Sequence, residues 1–133
     1  MDKTQLANLF ASLHLPKTGY YIASGGALVL YGLRKRTNDL DLYVTPELFA
    51  KLSAEYHIDP TDTDEYNSYH IKDGRAQILI DEHPEKSSIW LNGYLVETLE
   101  SILKFKLWRN APKDQPDIAK IQNYLKINKD NVN

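Results

Sequence analysis

The chain has 133 residues, is 42% hydrophobic and 26% charged, carries a formal net charge of −2 and contains no cysteine. That length can bury one continuous core without disulfides or structural metal, so a single domain over residues 1–127 is expected, with the tail 128–133 fraying. The missing cysteine excludes thiol chemistry and thiolate zinc sites, the charge argues against a protein that coats nucleic acid, and no apolar run approaches the roughly 20 residues that span a bilayer; cytoplasm is the default setting.

Leu6, Leu9, Phe10 and Leu13 recur at helical spacing, which predicts an opening helix from near Thr4 to Leu13 that stops before Pro16. Tyr20-Tyr21-Ile22 reads as a short buried strand, broken at Ser24-Gly25-Gly26 before an apolar helical segment, Ala27 to Leu33. A basic loop, Arg34 to Asn38, leads into Asp39-Leu40-Asp41-Leu42-Tyr43-Val44, whose alternation predicts a half-buried strand. Pro46 to Tyr56 has helix-forming composition with proline suited to the first turn, and Asp59 to Glu65 reads as an acidic surface loop. Tyr66 to Lys72 and Arg75 to Ile80 flank Asp73-Gly74, a pair favoured in tight hairpins. If Lys72 opposes Arg75, then Ala76, Ile78 and Ile80 share one face, and His70, Gln77, Leu79 and Asp81 share the other. Asn92-Gly93 marks a further turn, Leu99, Ile102 and Leu103 open a helix, and Ile118, Ile121 and Leu125 stripe a last one. With no internal repeat, the expected fold is α+β, a mixed β-sheet with helices packed on one face.

The chemistry resides in Ser24-Gly25-Gly26 and Asp39-Leu40-Asp41, separated by residues 27–38. Residues two apart on a strand project to one side, so Asp39 and Asp41 converge while Leu40 and Leu42 face the core. Two carboxylates together suit magnesium arriving with a nucleoside triphosphate. The glycines would let backbone amides approach phosphate, next to the start of a helix. Taken alone, Asp39 and Asp41 fit a solvated edge strand and Gly25-Gly26 fits a plain turn; their joint spacing favours a site.

These stretches, with Ala27-Leu28, Tyr31-Gly32, Arg36-Thr37 and Leu42, resemble the minimal nucleotidyltransferases of the DNA polymerase β superfamily, in the bacterial branch that includes abortive-infection toxin nucleotidyltransferases. The resemblance covers about a quarter of the chain strongly. Lys106, Lys113-Asp114 and Asp117 are similar to a weaker family pattern. It implies a nucleotidyltransferase-like fold and magnesium-dependent transfer of a nucleoside monophosphate from a triphosphate to a hydroxyl or phosphate acceptor, with release of pyrophosphate. Asp39 and Asp41 are then metal ligands, and Ser24, Gly25, Gly26, Arg36 and Lys106 bind nucleotide. The acceptor, whether small molecule, RNA end or protein, is not implied.

The family's third acidic position falls on the strand from Arg75 to Asp81. Gln77 follows Arg75 as that aspartate often follows a basic residue, but a neutral amide is a poor magnesium ligand; Asp81 has the charge, at the strand's end, and is taken as the third catalytic ligand. Gln77 in the acidic position would leave a degenerate nucleotide-binding module, and a toxin–antitoxin-type interaction protein stays open beside it. Local readings compete elsewhere: Arg34, Lys35 and Arg36 as solubility or phosphate contacts, Lys106 as snorkelling, Asp114 and Asp117 as N-cap and N3 of the last helix, Trp90 and Trp108 as packing. Thr37 receives no role, and His70 is read as a polar neighbour of Gln77 rather than a general base. No separate acceptor domain is expected, so a homodimer or partner chain would complete a shallow acceptor site.

Overall fold

The computed structural model describes the backbone of residues 1–132 and the side chains of residues 1–128. Most of the tail expected to fray, 128–133, lies outside the described side chains. The chain divides into two compact units, Met1–Glu97 and Thr98–Asn133.

The first unit runs α1 (Lys3–Ser12), β1 (Tyr20–Ala23), α2 (Ser24–Leu30), β2 (Leu40–Val44), α3 (Pro46–Tyr56), β3 (Tyr69–Ile71), β4 (Ala76–Ile80), β5 (Ser88–Leu91) and β6 (Tyr94–Glu97). Its strands form one six-stranded mixed sheet in the order β3-β4-β2-β1-β6-β5. Strand β2 lies between β1, to which it is antiparallel, and β4, to which it is parallel. The core face carries Ile22, Leu40, Leu42, Val44, Ala76, Ile78 and Val96, all buried. Helices α1, α2 and α3 cover that face, with Leu6, Leu28, Leu48 and Leu52 buried beneath them. This is the α+β arrangement the sequence predicts. The second unit holds α4 (Leu99–Arg109) and α5 (Gln115–Val132), with Ile102, Ile118 and Ile121 buried. No helix among the described residues is long and apolar enough to cross a membrane.

Local chemistry sets the ends. Asp2 Oδ1 accepts from the Gln5 amide at 2.9 Å while Gln5 Oε1 accepts from the Asp2 amide at 2.9 Å, a reciprocal box that fixes the start of α1. Thr45 Oγ1 accepts from the Leu48 amide at 3.2 Å and Pro46 fills the first turn, so α3 begins where the proline predicts. The hairpin registers as expected: Ile71 opposes Ala76, His70 opposes Gln77 and Tyr69 opposes Ile78.

One boundary differs. Helix α2 begins at Ser24, not near Ala27, so both glycines lie within its first turn. The left-handed residue is Ser24, at φ 54, and neither Gly25 nor Gly26 has positive φ. A Cβ on Gly26 would lie 3.1 Å from Ile22 Cγ2 and 3.6 Å from Leu6 Cδ1, whereas one on Gly25 would lie 2.5 Å from Thr37 Oγ1 and 2.7 Å from Arg34 Nη1. Gly26 therefore lets α2 lie close on β1 and α1; its missing side chain faces the core rather than a phosphate.

Gly26→Val should destabilise the protein by about 1–3 kcal/mol through overpacking against Ile22 and Leu6. Gly25→Ala should also destabilise, because its methyl would meet the buried Thr37 side chain at Oγ1 and Cβ, even though the Arg34 guanidinium can move aside. Urea unfolding checks both; a Gly26→Val midpoint equal to wild type would mean that the core does not confine this position.

Candidate active site

The alternation that buries Leu40, Leu42 and Val44 leaves Asp41 and Tyr43 half-buried on the opposite face of β2, with Asp39 just before the strand. Directly paired residues share a face, so Asp41 defines a row across the sheet. Ala23 of β1 lies on one side of it and Gln77 of β4 on the other, with His70 of β3 beyond Gln77. On the far side of Ala23 the row reaches Glu97, which follows Val96 as Ala23 follows its partner Ile22. Ala23, fully buried, contributes only a methyl to the centre of the row.

Asp41 is held in an unfavourable state. Its Oδ1 is buried without a hydrogen-bond partner. Burial first, then the charges of Asp39 and Glu97, push its pKa up to about 6, and His70 opposes the rise. A buried carboxylate oxygen with no donor, beside a second carboxylate, suits a divalent cation: Asp39 and Asp41 could hold one, with further oxygens from a ligand or water. Among the described residues no three carboxylates or imidazoles converge on a single ion position.

The remaining expected residues are distributed as follows. The Ser24 amide, at the start of α2, donates to Glu97 Oε1 at 3.0 Å. Arg34, rather than the exposed Arg36, stands over Gly25. Gln77 is in register with Asp41. Asp81, expected as the third ligand, is not brought to the pair: the parallel ladder carries it four residues past Gln77, about 13 Å along the strand. There its Oδ2 accepts from Tyr21 Oη at 3.2 Å and its Oδ1 from the His83 amide at 2.8 Å. In the second unit Lys106 does not snorkel; its ammonium lies 3.4 Å from Asp114 and 3.3 Å from Asp117. Arg109 hydrogen bonds hold the Asp114 carboxyl well below its usual range. Asp114 stands immediately before α5 and accepts from the Ala111 amide, so it also organises the turn that leads into the helix.

Glu97 and Thr37 were not singled out in the sequence. Alternation along Tyr94-Leu95-Val96-Glu97 carried a signal for Glu97, since a core residue at Val96 turns its neighbour to the other face. Thr37 is buried, donates through Oγ1 to the Asp39 carbonyl at 3.2 Å and accepts from the Met1 ammonium at its own carbonyl, 2.6 Å. It anchors the basic loop one step before the acidic pair.

No protein-family model and no curated relative matches the chain. Two solved structures share its fold. A Thermotoga maritima protein, TM1012, provisionally assigned as a nucleotidyltransferase, matches with a TM-score of 0.64 at 12% identity, over 93% of this chain and 96% of its own. The antibiotic-resistance factor ANT(2'')-Ia matches with a TM-score of 0.55 at 18% identity, over 92% of this chain and 83% of its own. The chain has a nucleotidyltransferase-like fold.

The strained Asp41 makes a stability prediction. Its pKa is higher folded than unfolded, so between its ordinary value of 3.8 and about 6 the folded chain retains a proton that the unfolded chain has lost. Stability contributed by this group therefore falls as pH rises through that window and stays lower above it. Without metal, Asp41→Asn should exceed wild type by about 1–2 kcal/mol at roughly pH 7.5, and the gap should close near pH 3.5. Thermal unfolding in EDTA across that range checks it; a less stable Asp41→Asn at neutral pH would refute the strain.

Proposed function

We propose that this chain is a magnesium-dependent nucleotidyltransferase that moves a nucleoside monophosphate from a triphosphate to a hydroxyl acceptor and releases pyrophosphate. The observation that carries it is the buried, unpartnered Oδ1 of Asp41 beside Asp39 within a nucleotidyltransferase-like fold. Asp39 and Asp41 hold the metal; when bound, it would neutralise triphosphate charge and polarise the α-phosphoryl group. Gly25, in the first turn of α2, and Arg34 beside it would supply the polar wall for the phosphates, the Ser24 amide being taken by Glu97 Oε1. Arg34 takes this role in preference to Arg36, and Lys106 is left to its ion pairs with Asp114 and Asp117.

The register of Gln77 with Asp41 favours a second reading, a module that binds triphosphate without turning it over, because a neutral amide occupies the neighbouring position. The two readings separate in one experiment. Calorimetry with a nonhydrolysable ATP analogue, with magnesium and with EDTA, measures binding. Pyrophosphate release from magnesium ATP in the presence of glycerol, glucosamine, adenosine, a short RNA or a serine peptide measures transfer.

Asp39→Asn and Asp41→Asn should each abolish pyrophosphate release, at least about 100-fold, and weaken magnesium-dependent binding while the fold persists. Asp81→Asn should change turnover by less than about threefold, its carboxylate being occupied by Tyr21 and the His83 amide. Unchanged metal and nucleotide binding in both pair variants would sink the site; binding without release in wild type would favour the second reading.

A further inference from the structure

We propose that His70, oriented by Asp64, takes the proton from the acceptor hydroxyl; this rests on the transfer reading above. The orienting contacts are local. His70 Nε2 lies 2.8 Å from Asp64 Oδ2. Asp64 is itself fixed: its Oδ1 accepts from the Tyr66 amide at 2.8 Å and the Ser68 amide at 3.0 Å, and its Oδ2 from the hydroxyl of buried Ser68. Donors from Ser68, first its hydroxyl, hold the Asp64 carboxyl well below its usual range. An ionised carboxylate can only accept, so in the neutral ring Nε2 carries the hydrogen and Nδ1 keeps the lone pair. Nδ1 is then the basic atom.

Position supplies the rest. His70 is directly opposite Gln77, which is directly opposite Asp41, so the imidazole stands on the carboxylate face two strands away. At the usual spacing that is about 10 Å between Cα atoms, a distance an acceptor held over Gln77 would span. The His70 side chain is 43% exposed and lines an open cleft of about 300 Å³ with Tyr56, His57, Asp59, Asp62 and Asp64. Asp39 and Asp41 are assigned to the metal, and the other groups on this face are poor bases or already hydrogen-bonded. Gln77 cannot take a proton. Tyr21 and Tyr43 are held in the acid form, chiefly by burial. Glu97 is bound by the Ser24 amide, and Asp81 by Tyr21 and the His83 amide.

In the step itself, the acceptor oxygen forms its bond to the α-phosphorus as its proton passes to His70 Nδ1. The bond from the α-phosphorus to the bridging oxygen breaks, and pyrophosphate leaves with that electron pair. His70 then returns the proton to solvent through the cleft.

The test pairs a metal-free measurement with turnover. In the full chain with labelled histidine and no nucleotide, long-range proton–nitrogen NMR should show His70 as the Nε2–H tautomer, and Asp64→Asn should mix the two tautomers. In pyrophosphate release from magnesium ATP, with whichever of the five acceptors above reacts fastest, His70→Ala and His70→Gln should lose about 10²–10⁴-fold in kcat. Affinity for the nonhydrolysable ATP analogue should stay within about twofold of wild type. Added imidazole should restore about tenfold to His70→Ala and nothing to His70→Gln, a rescue that a structural role would not give. An Nδ1–H ring in wild type, near-normal turnover by His70→Ala, or an unrescued loss would each overturn the assignment. A wild type that releases no pyrophosphate with any acceptor overturns the transfer reading and this one together; an active wild type with an equally active His70→Ala overturns only this one.

Discussion

Strand β2 is paired along both edges, and that double pairing determines most of what the first unit can do. Its register is locked by β1 on one side and β4 on the other, so the burial of Leu40, Leu42 and Val44 leaves no freedom in where Asp41 points. A one-residue slip would drive Asp41 and Tyr43 under the helices and expose three large aliphatics. Core formation thus obliges a carboxylate to sit in a half-buried place beside a second one. The helices contribute from the other face: Gly26 allows α2 to close on Ile22, and the same close approach sets the first turn of α2 at the end of β1, next to the row.

The consequence is an electrostatic conflict stored in the folded state. Burial, Asp39 and Glu97 all act against the ionised Asp41, and no donor relieves its Oδ1. Such strain is tolerated where it serves binding, because a ligand that supplies positive charge recovers the lost interaction. The second unit shows the opposite solution: there the buried Asp114 is surrounded by Lys106 and Arg109. The buried Asp114 is compensated and the half-buried Asp41 is not, which separates a structural ion pair from a candidate site.

Features governed by neighbouring residues were legible in the sequence. Asp73-Gly74 gave the hairpin register, Pro46 after Thr45 gave the start of α3, and the alternation from Asp39 to Val44 gave the two faces of β2. Features governed by packing between distant segments were not. Periodicity cannot reveal that β4 runs parallel to β2, and it is this register, rather than charge, that puts Gln77 beside Asp41 and carries Asp81 away. The start of α2 at Ser24 depends on contacts with Leu6 and Ile22, and the anchoring of the basic loop depends on Thr37. Asp64 looked like one acid in a surface loop because its importance lies in a turn that folds back on Ser68 and His70.

The neutral residue at position 77 can be understood from the same electrostatics. A carboxylate there would stand one strand spacing, about 4.8 Å in backbone separation, from Asp41 and would add a further like charge to a group already raised by Asp39, Glu97 and Asp64. An amide avoids that repulsion but gives up proton acceptance at the position. Moving proton acceptance one strand further, to His70, keeps a basic nitrogen on the same face without adding negative charge next to Asp41. It also places the basic ring where a carboxylate, Asp64, can compensate its positive charge after protonation. In the proposed reading, separating charge binding at Asp39 and Asp41 from proton transfer at His70 thus avoids a further acid beside Asp41, whose row already holds Glu97.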